Sequence, residues 1–398
     1  MNHIAPTARI RIGLESYLGG VQFLFLLTWV VYVVFLEGLL AKLGLPKDFA
    51  PRLLLLDQCL FALADVALGY YADRILRAWG RIAPTLIVLN LVSCLAFAAL
   101  PHVAADMPSL FVGMTMLWVL TASVLRAPLY GLIARRAAQP GRANAGALLG
   151  MGLASALAPY LGQVMKGMDP MLPFAVSSIV LAAATLGFVA FESRLAASGT
   201  NSPPAPALPI AGLPRCLAGA LLLGLGFQIH FFVNTAPLYK AVADPALLPW
   251  LMPVFWIGFS LAVYPGASLV ARHGARRALA FSSLLGALAL AACLFSPGLP
   301  WLVVLQALAG VAWGAGLLAG ISTAGAHGRV GREALYVGAW FACLAIAAVV
   351  RITLTLAGVG YDSHVSLPLA AGLFLGGALL LLPWLREKPS MIRMERPS

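Results

Sequence analysis

Apolar runs of membrane-crossing length follow one another along nearly the whole chain, broken by short polar stretches in which Arg predominates. A helix needs about 20 apolar residues to cross a bilayer. Twelve such segments can be marked. Six lie near 14–36, 52–72, 82–101, 109–133, 143–165 and 172–191, and six near 215–237, 247–270, 278–296, 300–323, 333–357 and 366–385. Between the two sets lies Glu192 to Pro214, whose SGTNSPPAPALP run is too rich in Ser, Pro and Gly to pack as a helix. The pattern predicts an all-α polytopic membrane protein with twelve transmembrane helices in two six-helix bundles. The N-terminal bundle covers 1–191, a cytoplasmic Ser/Pro-rich linker covers 192–214, and the C-terminal bundle with a short basic cytoplasmic tail covers 215–398.

Composition strengthens the membrane reading. Of 398 residues, 61% are apolar and 10% charged, with a mean hydropathy of +0.93; a soluble chain carries about 25% charged residues. The net charge of +12 raises the question of a nucleic-acid partner. Its distribution answers it. With the N-terminus inside, the segments on the cytoplasmic side hold 19 Lys and Arg, and those on the opposite side hold five. That is the positive-inside pattern, so both termini are expected in the cytoplasm and no nucleic acid is needed. The preference for Arg over Lys, 21 to 5, fits a GC-rich bacterial genome and hence a bacterial inner (cytoplasmic) membrane. The first apolar run is too long for a cleaved signal and lacks a small-residue cleavage pattern. Cys59, Cys94, Cys216, Cys293 and Cys343 are scattered and odd in number, so neither a disulfide framework nor a metal site is expected.

One stretch repeats. Gly69-x-x-x-Asp73-Arg74, then Arg77, Gly80 and Arg81, closes the second span. Gly266 to Arg277, with Arg272, Arg276 and Arg277, closes the eighth. Arg74 and Arg272 are 198 residues apart, almost half the chain. Two parallel halves with a substrate site near their interface are the plan of the major facilitator transporters.

The residues of the first of these turns resemble the major facilitator superfamily signature between helices two and three. The long form from Asp73 to Arg81, with Pro84 after it, is similar to the glycoside–pentoside–hexuronide cation symporters, the melibiose-permease branch. In that branch an acid stands four residues before the signature Gly, as Asp65 does before Gly69. Its fourth helix carries an acid followed by x-Pro-aromatic-x-aromatic, where this chain reads Arg126-Ala127-Pro128-Leu129-Tyr130. The chain departs from the branch at two positions: Phe61 stands where a second acid is usual, and Arg126 replaces the fourth-helix acid. The resemblance implies a secondary transporter working by alternating access. Within it, Gly69, Asp73, Arg74, Arg77, Gly80 and Arg81 would be conformational machinery, with Asp73 facing a helix N-terminus. The missing acids make protons a better coupling ion than sodium.

Ionisable groups inside spans are costly and mark pathways or relays. Asp65 is nine residues before Arg74, and Arg126 is nine before Arg135. Both therefore sit about 14 Å from the cytoplasmic edge, and neighbouring second and fourth helices would let them pair. Three readings stay open: a buried pair that fixes helix register, a proton site at Asp65, or an anchor at Arg126 for an anionic substrate. Asp57, about 12 Å nearer the outer face, is a gate, a second proton site or a local polar pair. His230 and Asn234 share a face of the seventh span, and His230 is either a proton carrier or a hydrogen-bonded packing residue. Arg351 is expected to snorkel to the outer interface. The candidate cavity wall is Gln22, Trp29, Gln58, Trp118, Tyr130, Gln228, Asn234, Trp256, Trp313 and Trp340. That list is too short of polar groups for a fully hydrogen-bonded sugar cage.

No metalloprotease, nucleophile-elbow or nucleotide-binding motif is present. The expectation is a transporter and not an enzyme, without catalytic residues or cofactor, acting as a monomer in the lipid bilayer. It would move a small organic solute, sugar-like or an organic anion, by proton-coupled symport. The alternative is a proton-driven exporter of amphipathic compounds or drugs on the same fold.

Overall fold

The computed structural model describes residues 6–46, 48–104, 107–198, 207–359 and 362–386. Residues 199–206 of the linker and all of the tail beyond Arg386 lie outside the described residues. Among those described, twelve helices are long and apolar enough to cross a membrane. They are α1 (Gly13–Lys42, its helix beginning at Pro6), α2 (Phe49–Trp79), α3 (Ala83–Val103), α4 (Pro108–Arg136), α5 (Pro140–Val164) and α6 (Met171–Ala197). The second six are α7 (Ile210–Val242), α8 (Pro245–His273), α9 (Ala275–Cys293), α10 (Leu299–His327), α11 (Glu333–Leu356) and α12 (His364–Arg386). Leu63, Leu95, Leu261 and Leu288 point outward, as a lipid-facing surface requires. The chain is a multi-pass membrane protein.

Two helices run further than the apolar pattern suggests. α2 continues seven residues past 72, because its buried face persists through Asp73 and Leu76 and nothing breaks the helix before Gly80. Gly69, Asp73, Arg74 and Arg77 therefore ride on the last turns of α2, and only Gly80 and Arg81 form the turn itself. Gly80 has φ 66° and closes the helix with its N–H on Leu76 O. Gly274, at φ 85°, closes α8 in the same way on Val270 O. Such positive φ values favour glycine. The helix of α6 continues to Ser198, because Glu192 is buried against the start of α3. Its carboxylate accepts from the N–H of Ile82 at 3.0 Å and of Ala83 at 2.9 Å.

Helix neighbours recur with an offset of six. The pairs α1–α5, α1–α6, α2–α4, α3–α4 and α3–α6 of the first half return as α7–α11, α7–α12, α8–α10, α9–α10 and α9–α12 of the second. The halves meet along two seams that the same offset exchanges, α2–α11 and α5–α8. At the α2–α11 seam small residues let backbones approach, the packing mode open to helices in lipid. A Cβ on Gly69 would lie 2.5 Å from Ala334 O, and one on Gly338 would collide with Asp65 O.

Two spans are not continuous α-helix. α4 breaks into Pro108–Ala122, a 3-10 turn at Ser123–Leu125 and Ala127–Arg136, with Arg126 at φ −108°, ψ −103° between the last two pieces. Pro128 lacks the N–H that Val124 O would otherwise accept. α7 carries a π-helical turn at His230–Asn234, where the Thr235 hydroxyl donates to His230 O at 2.9 Å. Pro237 follows within one turn and withholds another N–H.

Candidate functional site

The site grows from one ridge of α2. Asp57, Phe61, Asp65, Gly69 and Asp73 are spaced by four and all buried. Each step turns about 40° around the helix, so the ridge winds past three partners in succession. Asp57 meets α1, Asp65 meets α4, and Asp73 meets α11.

Asp65 and Arg126 form an ion pair, Nη2 to Oδ2 at 3.0 Å, with the Asp side chain fully buried and the Arg side chain 18% exposed. The contact is not aligned as a hydrogen bond, since neither carboxylate oxygen has a hydrogen-bond partner. Arg126 Cζ lies over the Phe61 ring at 4.7 Å from its centroid and over the Phe341 ring of α11 at 5.1 Å. Phe341 also packs on Tyr130, centroids 5.4 Å apart. Phe61 thus supplies a ring face to the cation that stands in place of the fourth-helix acid. The sequence brought Asp65 and Arg126 to one depth; the structure brings them into contact and adds Phe341 from the other half.

The break in α4 is what turns Arg126 toward α2. It frees the Leu125 carbonyl, which Gln22 of α1 satisfies through Nε2 at 2.7 Å in a buried position. Gln22 therefore holds the backbone of the site in place. A carbonyl freed inside a membrane must find such a donor.

About two turns above Asp65, toward the start of α2, Asp57 Oδ2 accepts from the Tyr32 hydroxyl at 2.9 Å, and Asp57 Oδ1 has no partner. Tyr32, Trp29, Trp118 and Phe61 are stacked or tilted against one another with centroids 4.8–5.9 Å apart. Gln58 is half-buried beside Asp57.

Below, Asp73 accepts from the first free N–H groups of α11, Ala334 at 3.2 Å and Leu335 at 2.9 Å. A carboxylate there complements the helix dipole. Arg77 donates to Gly331 O. On the second seam Arg142 of α5 lies 5.8 Å from the Tyr264 ring of α8 and donates from Nε to Glu15 of α1 at 2.9 Å. These contacts close the two halves together at the end bearing the basic turns.

The second half has its own polar group. His230 Nε2 is 3.0 Å from Gln306 Oε1, while His230 Nδ1 and Gln306 Nε2 have no partner. Asn234 is engaged with Ser366 of α12 through two hydrogen bonds, 2.5 and 3.1 Å. Trp313 stacks on Phe227 at 4.3 Å, and Trp256 joins the same aromatic cluster. Trp340 is buried with its indole against Gly320. Arg351, expected at the outer interface, donates from Nε to Gln228 at 2.9 Å, and its guanidinium lies over Phe232. Among the described residues, no cluster of His, Cys, Asp and Glu could hold a metal ion.

Sequence reasoning did not single out Phe341, Glu15, Tyr264 or Glu192. Phe341 is one of 19 phenylalanines and gives no signal of its own. Glu15 and Glu192 sit at span ends, where an acid reads as solvated.

No family model matches the chain, and no curated protein matches its sequence. Its backbone is similar to the crystal structure of the human organic anion transporter MFSD10 (TETRAN), with a TM-score of 0.69 and 16% identity over 95% of this chain and 100% of that one. The likeness is one of architecture. The chain has the major facilitator fold, twelve membrane helices in two six-helix bundles.

Proposed function

We propose that this protein is a secondary active transporter that moves a small organic anion with a proton, by alternating access of its two halves. The observation that carries the proposal is Arg126. It is a guanidinium within a membrane span, 18% exposed, whose only polar contact among the described residues is the carboxylate of Asp65. An incoming anion competes with Asp65 for that cation. Once displaced, Asp65 is a buried carboxylate without its cation in an aromatic-lined site, and a proton neutralises it. Site charge is then the same before and after: a cation with a carboxylate, or a cation with a bound anion beside a neutral acid. Anion and proton enter together because either alone leaves a buried charge without a partner.

Two further observations support this reading over a sodium-linked sugar carrier. The acids that the melibiose-permease branch would use are Phe61 and Arg126 here, which leaves one carboxylate at the site and a cation beside it. The similar fold of MFSD10 belongs to an organic anion transporter. With both termini in the cytoplasm, as the basic loops favour, the Asp73–α11 and Arg142–Tyr264 contacts become the cytoplasmic gate, closed in this conformation. The bilayer would be a bacterial cytoplasmic membrane.

The test is uptake of labelled organic anions into proteoliposomes under imposed proton gradients of both signs. Accumulation with an inward proton gradient supports symport into the cell, and accumulation only with the reverse gradient supports export. Anion flux indifferent to the gradient, with Asp65→Asn behaving as wild type, would falsify proton coupling at this pair.

A further inference from the structure

The surroundings of Arg126 carry more information than its charge. We infer that the site takes a flat, singly charged carboxylate borne on an apolar body, and discriminates against polyhydroxylated acids and dianions. The inference rests on the anion reading of Arg126 and narrows it.

Two ring faces lie against the guanidinium, Phe61 at 4.7 Å and Phe341 at 5.1 Å. What remains is its N–H edge. No acceptor among the described residues takes a hydrogen bond from that edge, and the side chain is 18% exposed. A carboxylate matches an arginine edge in plane, two oxygens on two N–H groups. A second negative charge, on a dicarboxylate or a doubly ionised phosphate, would find no second cation at this pair.

The body of the ligand then meets Phe61, Phe341 and Tyr130. Polar partners for hydroxyl groups are few nearby: Gln22 is committed to Leu125 O, and Asp57 is engaged through Oδ2 with Tyr32, which leaves Oδ1 as a single acceptor. A polyol chain would bury hydroxyls without partners, and sites of this kind reject such ligands strongly. Phe341 also belongs to α11, in the opposite half from Arg126. The apolar wall is complete only while α11 is packed on α2 and α4, which links recognition of the ligand body to the closed seam.

The experiment is a melting-temperature titration of the purified full chain with four probes: phenylacetate, gluconate, phthalate and glucose. Phenylacetate is expected to raise the melting temperature saturably, with gluconate and phthalate at least about tenfold weaker. Phe341→Leu, and independently Phe61→Leu, should weaken phenylacetate about tenfold and bring it close to gluconate, while lowering the ligand-free melting temperature by a few degrees. Arg126→Lys keeps the charge without the planar edge and should abolish the preference. Gluconate binding as tightly as phenylacetate would overturn this inference and leave the anion reading standing. A shift with glucose alone, or with no anion, would overturn both.

Discussion

Replacing Asp65 by Asn keeps the shape of the side chain and removes its charge, so it isolates the pair from the packing around it. Unit charges 3.0 Å apart attract by about 5–6 kcal/mol at an effective dielectric of about 20. Deleting one member of a buried pair destabilises a protein by about 3–5 kcal/mol. Two features place this case at the low end. The rings of Phe61 and Phe341 stay in place, each contributing about 0.5–2 kcal/mol to holding the cation, and the 18% exposure of Arg126 admits water. A loss of about 3 kcal/mol follows, visible as a melting temperature lower by several degrees.

The effect on binding has the opposite sign. Asp65 no longer competes for Arg126, so an anion that occupies the guanidinium edge should bind about tenfold more tightly, for about 1.4 kcal/mol of competition removed. In the wild type, anion binding takes up a proton, and by linkage affinity must rise as pH falls. In Asp65→Asn that slope disappears and the tight binding is present at every pH. Anion counterflow should persist while proton-driven accumulation is lost. The measurements are phenylacetate affinity from pH 6 to 8 and uptake under an imposed gradient, in both proteins. Weaker anion binding in the variant, or an unchanged pH slope, would refute the reasoning.

Other expectations follow from the same geometry. Asp73→Ala removes the acceptor of two N–H groups at the start of α11 and should open the basic end more often, read as faster labelling of single cysteines along the α2–α11 seam. Gly338→Val drives a side chain into Asp65 O; it should hold that seam apart, raise the same labelling and abolish transport with the protein still inserted. Gln22→Leu leaves Leu125 O buried without a donor and should cost about 1–3 kcal/mol of stability, measured by thermal melting, with anion affinity falling because the break at Arg126 loses its support.

Much of this architecture could be read from the chain because lipid imposes long apolar runs and segregates Arg to one side. The Asp65–Arg126 pair was legible for a related reason: both residues stand the same number of positions from a basic span end, and helical rise turns that into equal depth. The ends of α2 and α6 were less legible. Charged residues in their last turns read as loop, whereas the buried faces of Leu76 and Glu192 continue the helix. Gln22 read as a cavity residue because the break in α4 that requires it is a tertiary event, although Ala127-Pro128 marks the place. The contacts of Phe341 and Arg142 across the halves depend on how the bundles dock, and no local pattern records that.

The most direct test is to count protons as the anion binds. Purified protein in weak buffer near neutral pH, given saturating phenylacetate, should take up close to about one proton per chain, and Asp65→Asn should take up none. Saturable binding with no proton uptake in the wild type, or equal uptake in the variant, would contradict the account.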